Sequence, residues 1–164
     1  MTEYQRLFLV QARSDLVVFE VLRTCPGIGE CHALHYLQMA TEMLGKAHAW
    51  KNGPRTTTHR AFVVFLKSLS TNRKAQKQLG FERKNEKWEQ LIRSSVPLAE
   101  RIEDLAPSLS PDGPNPEYPW PRIAPEFAPA EHSFEIWREL HATIAGRKFL
   151  FHVVKLFAVA DAYL

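Results

Sequence analysis

Two cysteines, Cys25 and Cys31, are all that the 164 residues contain. That is too few for a disulfide framework, and a reducing cytoplasm is the default setting. Neither cysteine has neighbours at zinc-ligand spacing. His32 and His35 lie three apart on an expected helix, yet nothing nearby completes a tetrahedral site. Long apolar runs are missing too. The most apolar segment, residues 149–160, is too short to span a bilayer and contains His152 and Lys155, so no membrane partner is expected. No cationic start leads into an apolar signal stretch. A glycine-rich phosphate loop, a His-Glu-x-x-His metal motif and a serine nucleophile elbow are all lacking. These absences disfavour a conventional nucleotide-dependent enzyme and imply no cofactor.

What is present is helical periodicity. Residues 3–22 place Phe8, Ala12, Leu16, Phe19 and Leu22 on one stripe at steps of three and four. Pro26, Gly27 and Gly29 then break the chain. A second helix over about 31–51 carries Leu34, Leu37, Leu44 and Ala47 on one side and Tyr36, Met39, Met43 and Trp50 on another. A helix apolar on two sides belongs at the centre of a bundle. A third helix starts near His59 or Arg60, with His59 expected to cap it or to pack on the turn. Asn72 can cap a short basic helix that ends before Gly80. Asn85 can cap a long helix to about Leu105, with a kink or break expected at Pro97. A helix from Ser133 to about Ala145, a break at Gly146, and a final helix after it to about Ala162 complete the chain.

Proline is concentrated. Eight of the eleven prolines fall within 107–129, which excludes helix there and predicts an extended strap over about 107–132. Tyr118, Trp120 and Phe127 are expected to dock that strap on the bundle. Leu34, Leu37, Leu44, Phe62, Phe65, Leu91, Ile102, Leu150 and Phe157 are expected to share one core. The fold class is therefore all-α: one helical bundle over residues 1–164 with a long Pro-rich crossover. The last helix is apolar around most of its circumference, which favours a homodimer that buries its outer side.

Charge is segregated. Residues 51–94 carry eleven Lys or Arg and three Glu, whereas residues 95–146 carry three Arg and nine acids. A basic face of this kind can meet phosphate, or the two faces can meet each other. The basic run Arg73–Lys87 lies beside Phe81 and Trp88, a mixture that suits single-stranded nucleic acid, although Trp88 also fits the buried stripe of its helix.

Several motifs point to a family. In the second helix Tyr36, Gln38, Ala40, Glu42, Lys46 and Ala47 occur in order, and Thr58-His59 follows the turn at Asn52-Gly53-Pro54. Upstream stand Ala12-Arg13-Ser14-Asp15-Leu16, and near the start of the last helix Arg147 is followed by His152 after four residues. This pattern resembles HEPN domains (higher eukaryotes and prokaryotes nucleotide-binding), with departures at Thr41, Met43 and Gly45. The resemblance implies an up-and-down helical bundle that pairs with a second copy and binds RNA or a nucleotide. It further implies metal-independent endoribonuclease chemistry through Arg147 and His152. His152 would take the ribose 2′-hydroxyl proton and Arg147 would hold the phosphate.

Regular helix geometry complicates that pair, because five residues turn the side chain by about 140°. Lys148, His152 and Lys155 align instead, either as a solvated edge or as a cationic stripe for substrate. In a dimer, Arg147 of one chain could serve beside His152 of the other. His35, Gln38, Glu42 and Lys46 form another line on the second helix, read either as bundle support or as a lining for a nucleotide or RNA end. The competing function is a non-catalytic bundle that recognises a protein partner in a defence or toxin–antitoxin setting.

Overall fold

The computed structural model describes residues 1–52, 58–120 and 127–164. The Gly53-Pro54 turn and positions 121–126 of the strap lie outside the described residues. Seven α-helices occur among those described: α1 (Glu3–Leu22), α2 (Glu30–Ala49), α3 (Ala61–Leu69), α4 (Arg73–Gln78), α5 (Asn85–Glu103), α6 (Glu135–Ala142) and α7 (Ile144–Ala158). The protein is all-α, as the periodicity predicts. The one extended pairing described is an isolated antiparallel bridge between Trp120 and Phe127.

Local chemistry sets the helix ends. Thr2 accepts a hydrogen bond from the Gln5 amide at 3.2 Å while the Gln5 side chain accepts one from the Thr2 amide at 2.9 Å, a reciprocal cap that starts α1. Asn72 accepts from the Ala75 amide at 3.0 Å and starts α4, as expected. Asn85 is no cap. Its Oδ1 accepts from Arg73 and Gln76 instead, tying α4 to the start of α5. The long helix α5 runs through Pro97 without a break. The division between the last two helices falls at Thr143, whose hydroxyl accepts from the Gly146 amide at 2.9 Å, so Gly146 lies inside α7 rather than before it.

Two glycines mark where backbones meet. A Cβ on Gly45 would stand 2.3 Å from the Ala61 carbonyl carbon, because α3 begins directly against α2. A Cβ on Gly146 would stand 2.1 Å from the Glu139 carbonyl oxygen, where α7 folds back on α6. Around these contacts α2 is central, packing on α1 and α3, while α5 touches α2, α3, α6 and α7. Eight of the nine predicted core residues are buried in one apolar cluster, and Leu91 packs against it half-buried. Trp88 is buried as well, its Nε1 donating to the Leu69 carbonyl at 3.1 Å. It is a core residue and not a stacking platform.

The strap anchors at fewer points than its aromatics suggest. Trp120 is buried against Phe134 and His132. Tyr118 is 61% exposed, and Phe127 is 49% exposed with its ring stacked on Trp120. The sequence expectation that all three dock therefore holds for Trp120 alone. The second fixed point is polar: buried Asn115 accepts from the amides of Glu117 at 3.1 Å and Tyr118 at 2.9 Å. Replacing Asn115 by alanine leaves both amides without that acceptor and is expected to cost about 1–2 kcal/mol. Urea titration should show the loss, and proteolysis within 107–120 should accelerate. Unchanged cleavage would contradict this role.

Cys25 is exposed and Cys31 buried, and the two are not bonded. No helix among the described residues is long and apolar enough to cross a membrane.

Candidate functional site

Helices α5 and α7 lie side by side with a groove of about 790 Å³ between them. The α5 wall contributes Lys87, Gln90, Ser94 and Ser95. The α7 wall contributes Lys148, Phe151 and His152, and Phe81, ahead of α5, lines the groove as well. His152 and Lys148 are one helical turn apart, and the Lys148 carbonyl accepts a hydrogen bond from His152 Nδ1 at 2.6 Å. A carbonyl can only accept, so Nδ1 carries the proton and Nε2 holds a free lone pair in the neutral ring. Burial pushes the imidazole below its usual range, and the Lys155 and Lys148 charges push the same way against the carbonyl hydrogen bond. At neutral pH His152 is thus a base with a defined tautomer. The Phe81 and Phe151 rings stand 5.9 and 5.3 Å from it, centroid to centroid. Lys155 is not in the groove wall, and its ammonium sits 4.4 Å over the Phe151 ring.

Arg147 faces elsewhere. Its guanidinium donates to the carbonyls of His141 and Ala142 at 3.0 and 2.9 Å, closing the C-terminal end of α6. It borders a separate groove of about 380 Å³ with Glu20 of α1 and Arg23 just after that helix, and Phe151 lines both grooves. Within one chain Arg147 and His152 are not brought together, in keeping with the rotation that their spacing imposes.

The polar line on α2 divides in a similar way. Buried Glu42 accepts from Gln38 Nε2 at 2.7 Å and pairs with Lys46 at 2.5 Å. A fourth group, His59, donates from Nδ1 to the same carboxylate at 2.8 Å. Burial alone would raise the Glu42 pKa, but hydrogen bonds and charge from Lys46 and His59 outweigh it and hold the carboxyl below its ordinary value. His59 neither caps α3 nor merely packs on the turn. Its partner was hidden because the two residues lie 17 positions apart. His35 leaves this group and turns to the strap, its Nδ1 being 3.4 Å from Glu117.

The α3 cap is Glu103, which carries no signal in the sequence. It is buried, and its Oε1 accepts from the amides of Phe62 and Val63 at 2.8 and 3.1 Å. Among the described residues Oε2 has no hydrogen-bond partner. Burial raises this carboxyl to about 7 despite the two amides and nearby Arg60, with Glu42 adding to the rise. Among the described residues no group of three or more His, Cys, Asp or Glu side chains could hold a metal ion. Comparison with known proteins leaves the site to be read from this geometry: no family model, no curated protein and no solved structure matches the chain.

Proposed function

We propose that the protein is an RNA- or nucleotide-binding helical bundle of the HEPN kind, and that the α5/α7 groove is where it binds. One observation carries this reading: an imidazole with a fixed tautomer and a free Nε2 lies in a groove that Lys87 and Lys148 also line. Lysines attract phosphate, and the faces of aromatic rings stack bases regardless of sequence. Outside the groove the basic surface continues over exposed Lys74, Lys77, Arg83 and Lys84. A strand leaving the groove would meet further positive charge there.

Endoribonuclease action is the catalytic form of the proposal. His152 Nε2 takes the 2′-hydroxyl proton, the freed oxygen attacks the adjacent phosphorus, and the P–O5′ bond breaks as the 5′-oxygen takes a proton from the Lys148 ammonium and leaves as a hydroxyl. The result is a 2′,3′-cyclic phosphate, without metal or water in that step. A cation must balance the phosphorane charge. Lys148 stands in the same groove, whereas Arg147 could act only from a second copy. Phe151 and Val154, 55% and 37% exposed on α7, offer an apolar surface for such pairing. Incubating the protein with mixed RNA in EDTA tests catalysis: cleavage should occur and fall at least about a hundredfold in His152→Ala. Cleavage that survives this substitution would remove the catalytic role.

One observation favours the alternative, a non-catalytic module that recognises a protein in a defence or toxin–antitoxin setting. The Arg147 guanidinium is already engaged with two carbonyls of its own chain. Binding without any cleavage in EDTA is the outcome that this second reading expects.

A further inference from the structure

Eight residues of α5, about 12 Å of helix, separate Ser95 at the end of the groove wall from Glu103, the neighbour of Glu42, and none of Glu42, Lys46 and His59 lines the groove. It has features that a structural ion pair does not need. Gln38 and Lys46 already supply one donor to each oxygen of the Glu42 carboxylate, at 2.7 Å on Oε2 and 2.5 Å on Oε1. His59 adds a third donor from the segment that enters α3. Because Glu42 accepts from Nδ1, the neutral ring keeps its lone pair on Nε2, and the His59 side chain is 42% exposed. No described residue is hydrogen-bonded to Nε2. Lys46 is 19% exposed and directs one of its three N–H groups at Glu42. The placement depends on Gly45, which lets α3 start against α2 beside this carboxylate.

We propose that Glu42, Lys46 and His59 form a second ligand site, one that takes a phosphate-type oxyanion carrying a proton it can share. His59 Nε2 and one ligand oxygen hold a single proton between them, whichever atom carries it. Lys46 donates to a second ligand oxygen. Buried Glu42 is a positioning residue: it fixes the tautomer and balances the positive charge that forms when the proton lies on the ring. Among the described residues, the other charged groups near the centre are Glu103 on α5 and Arg60 ahead of α3. Arg60 is itself paired with Asp104 at 2.5 Å. Sulfate has the same shape but no proton to share near neutrality, and so it makes only the Lys46 contact.

Nitrogen-detected NMR of the histidine side chains in the full chain tests this at pH 7.5, with inorganic phosphate and sulfate as probes. Without either anion, His59 should show the Nδ1–H tautomer. Phosphate should shift its Nε2 resonance saturably, and sulfate should do so several-fold more weakly. Lys46→Gln should weaken the phosphate response, and His152→Gln should leave it intact, which separates this site from the groove. Glu42→Gln, if folded, should mix the His59 tautomers. A His59 resonance unmoved by phosphate would overturn the proposal. So would equal responses to both anions, or loss of the response in His152→Gln.

Discussion

Alanine in place of Gly146 is expected to destabilise the protein by about 3 kcal/mol or more, the upper end of what a single overpacking substitution does. The added Cβ would lie 2.1 Å from the Glu139 oxygen and 2.5 Å from the Leu140 Cα, atoms of backbone that cannot swing aside. Helices α6 and α7 would have to separate, opening the contact beneath buried Leu140 and Leu150. Gly45→Ala should act similarly, since its Cβ would meet Ala61 and Phe62 backbone atoms at 2.3–2.5 Å. Gly29→Ala is the comparison: the nearest atom there is the Cys31 Sγ at 3.4 Å. Only a modest loss of capping preference, about 1 kcal/mol or less, is expected from it. Urea midpoints report all three. A Gly146→Ala protein within about 0.5 kcal/mol of the parent would contradict the close approach.

Glu103→Gln should remove a pH dependence of about 3 kcal/mol. The folded protein raises this carboxyl from 4.5 to about 7, so between those values the folded state binds more protons than the unfolded one. Stability from this group is fully present below about pH 4.5, falls as pH rises through about 7, and stays reduced above it. A rise from 4.5 to about 7 corresponds to about 3 kcal/mol. Glutamine retains an oxygen for the Phe62 and Val63 amides and cannot ionise. The variant should therefore gain on the parent as pH rises from 5 to 8. Glu42, held below its usual range, works in the opposite sense: its contribution is present at neutral pH and lost as pH falls. Parallel stability curves for Glu103→Gln and the parent would show that Glu103 is ionised throughout.

What could be read in advance follows from how local the signal is. The bounds of α1 are legible because capping and stripe lie within one segment. The strap is legible because proline forbids helix wherever it clusters. The start of α7 was misread at Gly146, since that glycine answers to the backbone of α6 and not to a turn. Asn85 misled in the same way, its side chain being claimed by Arg73 and Gln76 of the preceding helix. Among site residues, Lys148 and His152 were legible as neighbours four apart on one helix. The engagement of Arg147 depends on where α6 ends, and the join of Glu42 to His59 depends on the α2–α3 crossing. Neither leaves a periodic trace in the chain.

Binding of single-stranded RNA to the α5/α7 groove is the most direct measurement of the central claim. Fluorescence anisotropy with a labelled oligoribonucleotide should show saturable binding that weakens as salt rises. Lys87→Glu with Lys148→Glu reverses the charge of both walls and should weaken binding at least about tenfold at fixed salt, while Lys67→Glu, at a position that does not line the groove, should change it far less. No saturable binding at low salt, or equal affinity in the groove variant and the parent, would contradict the assignment.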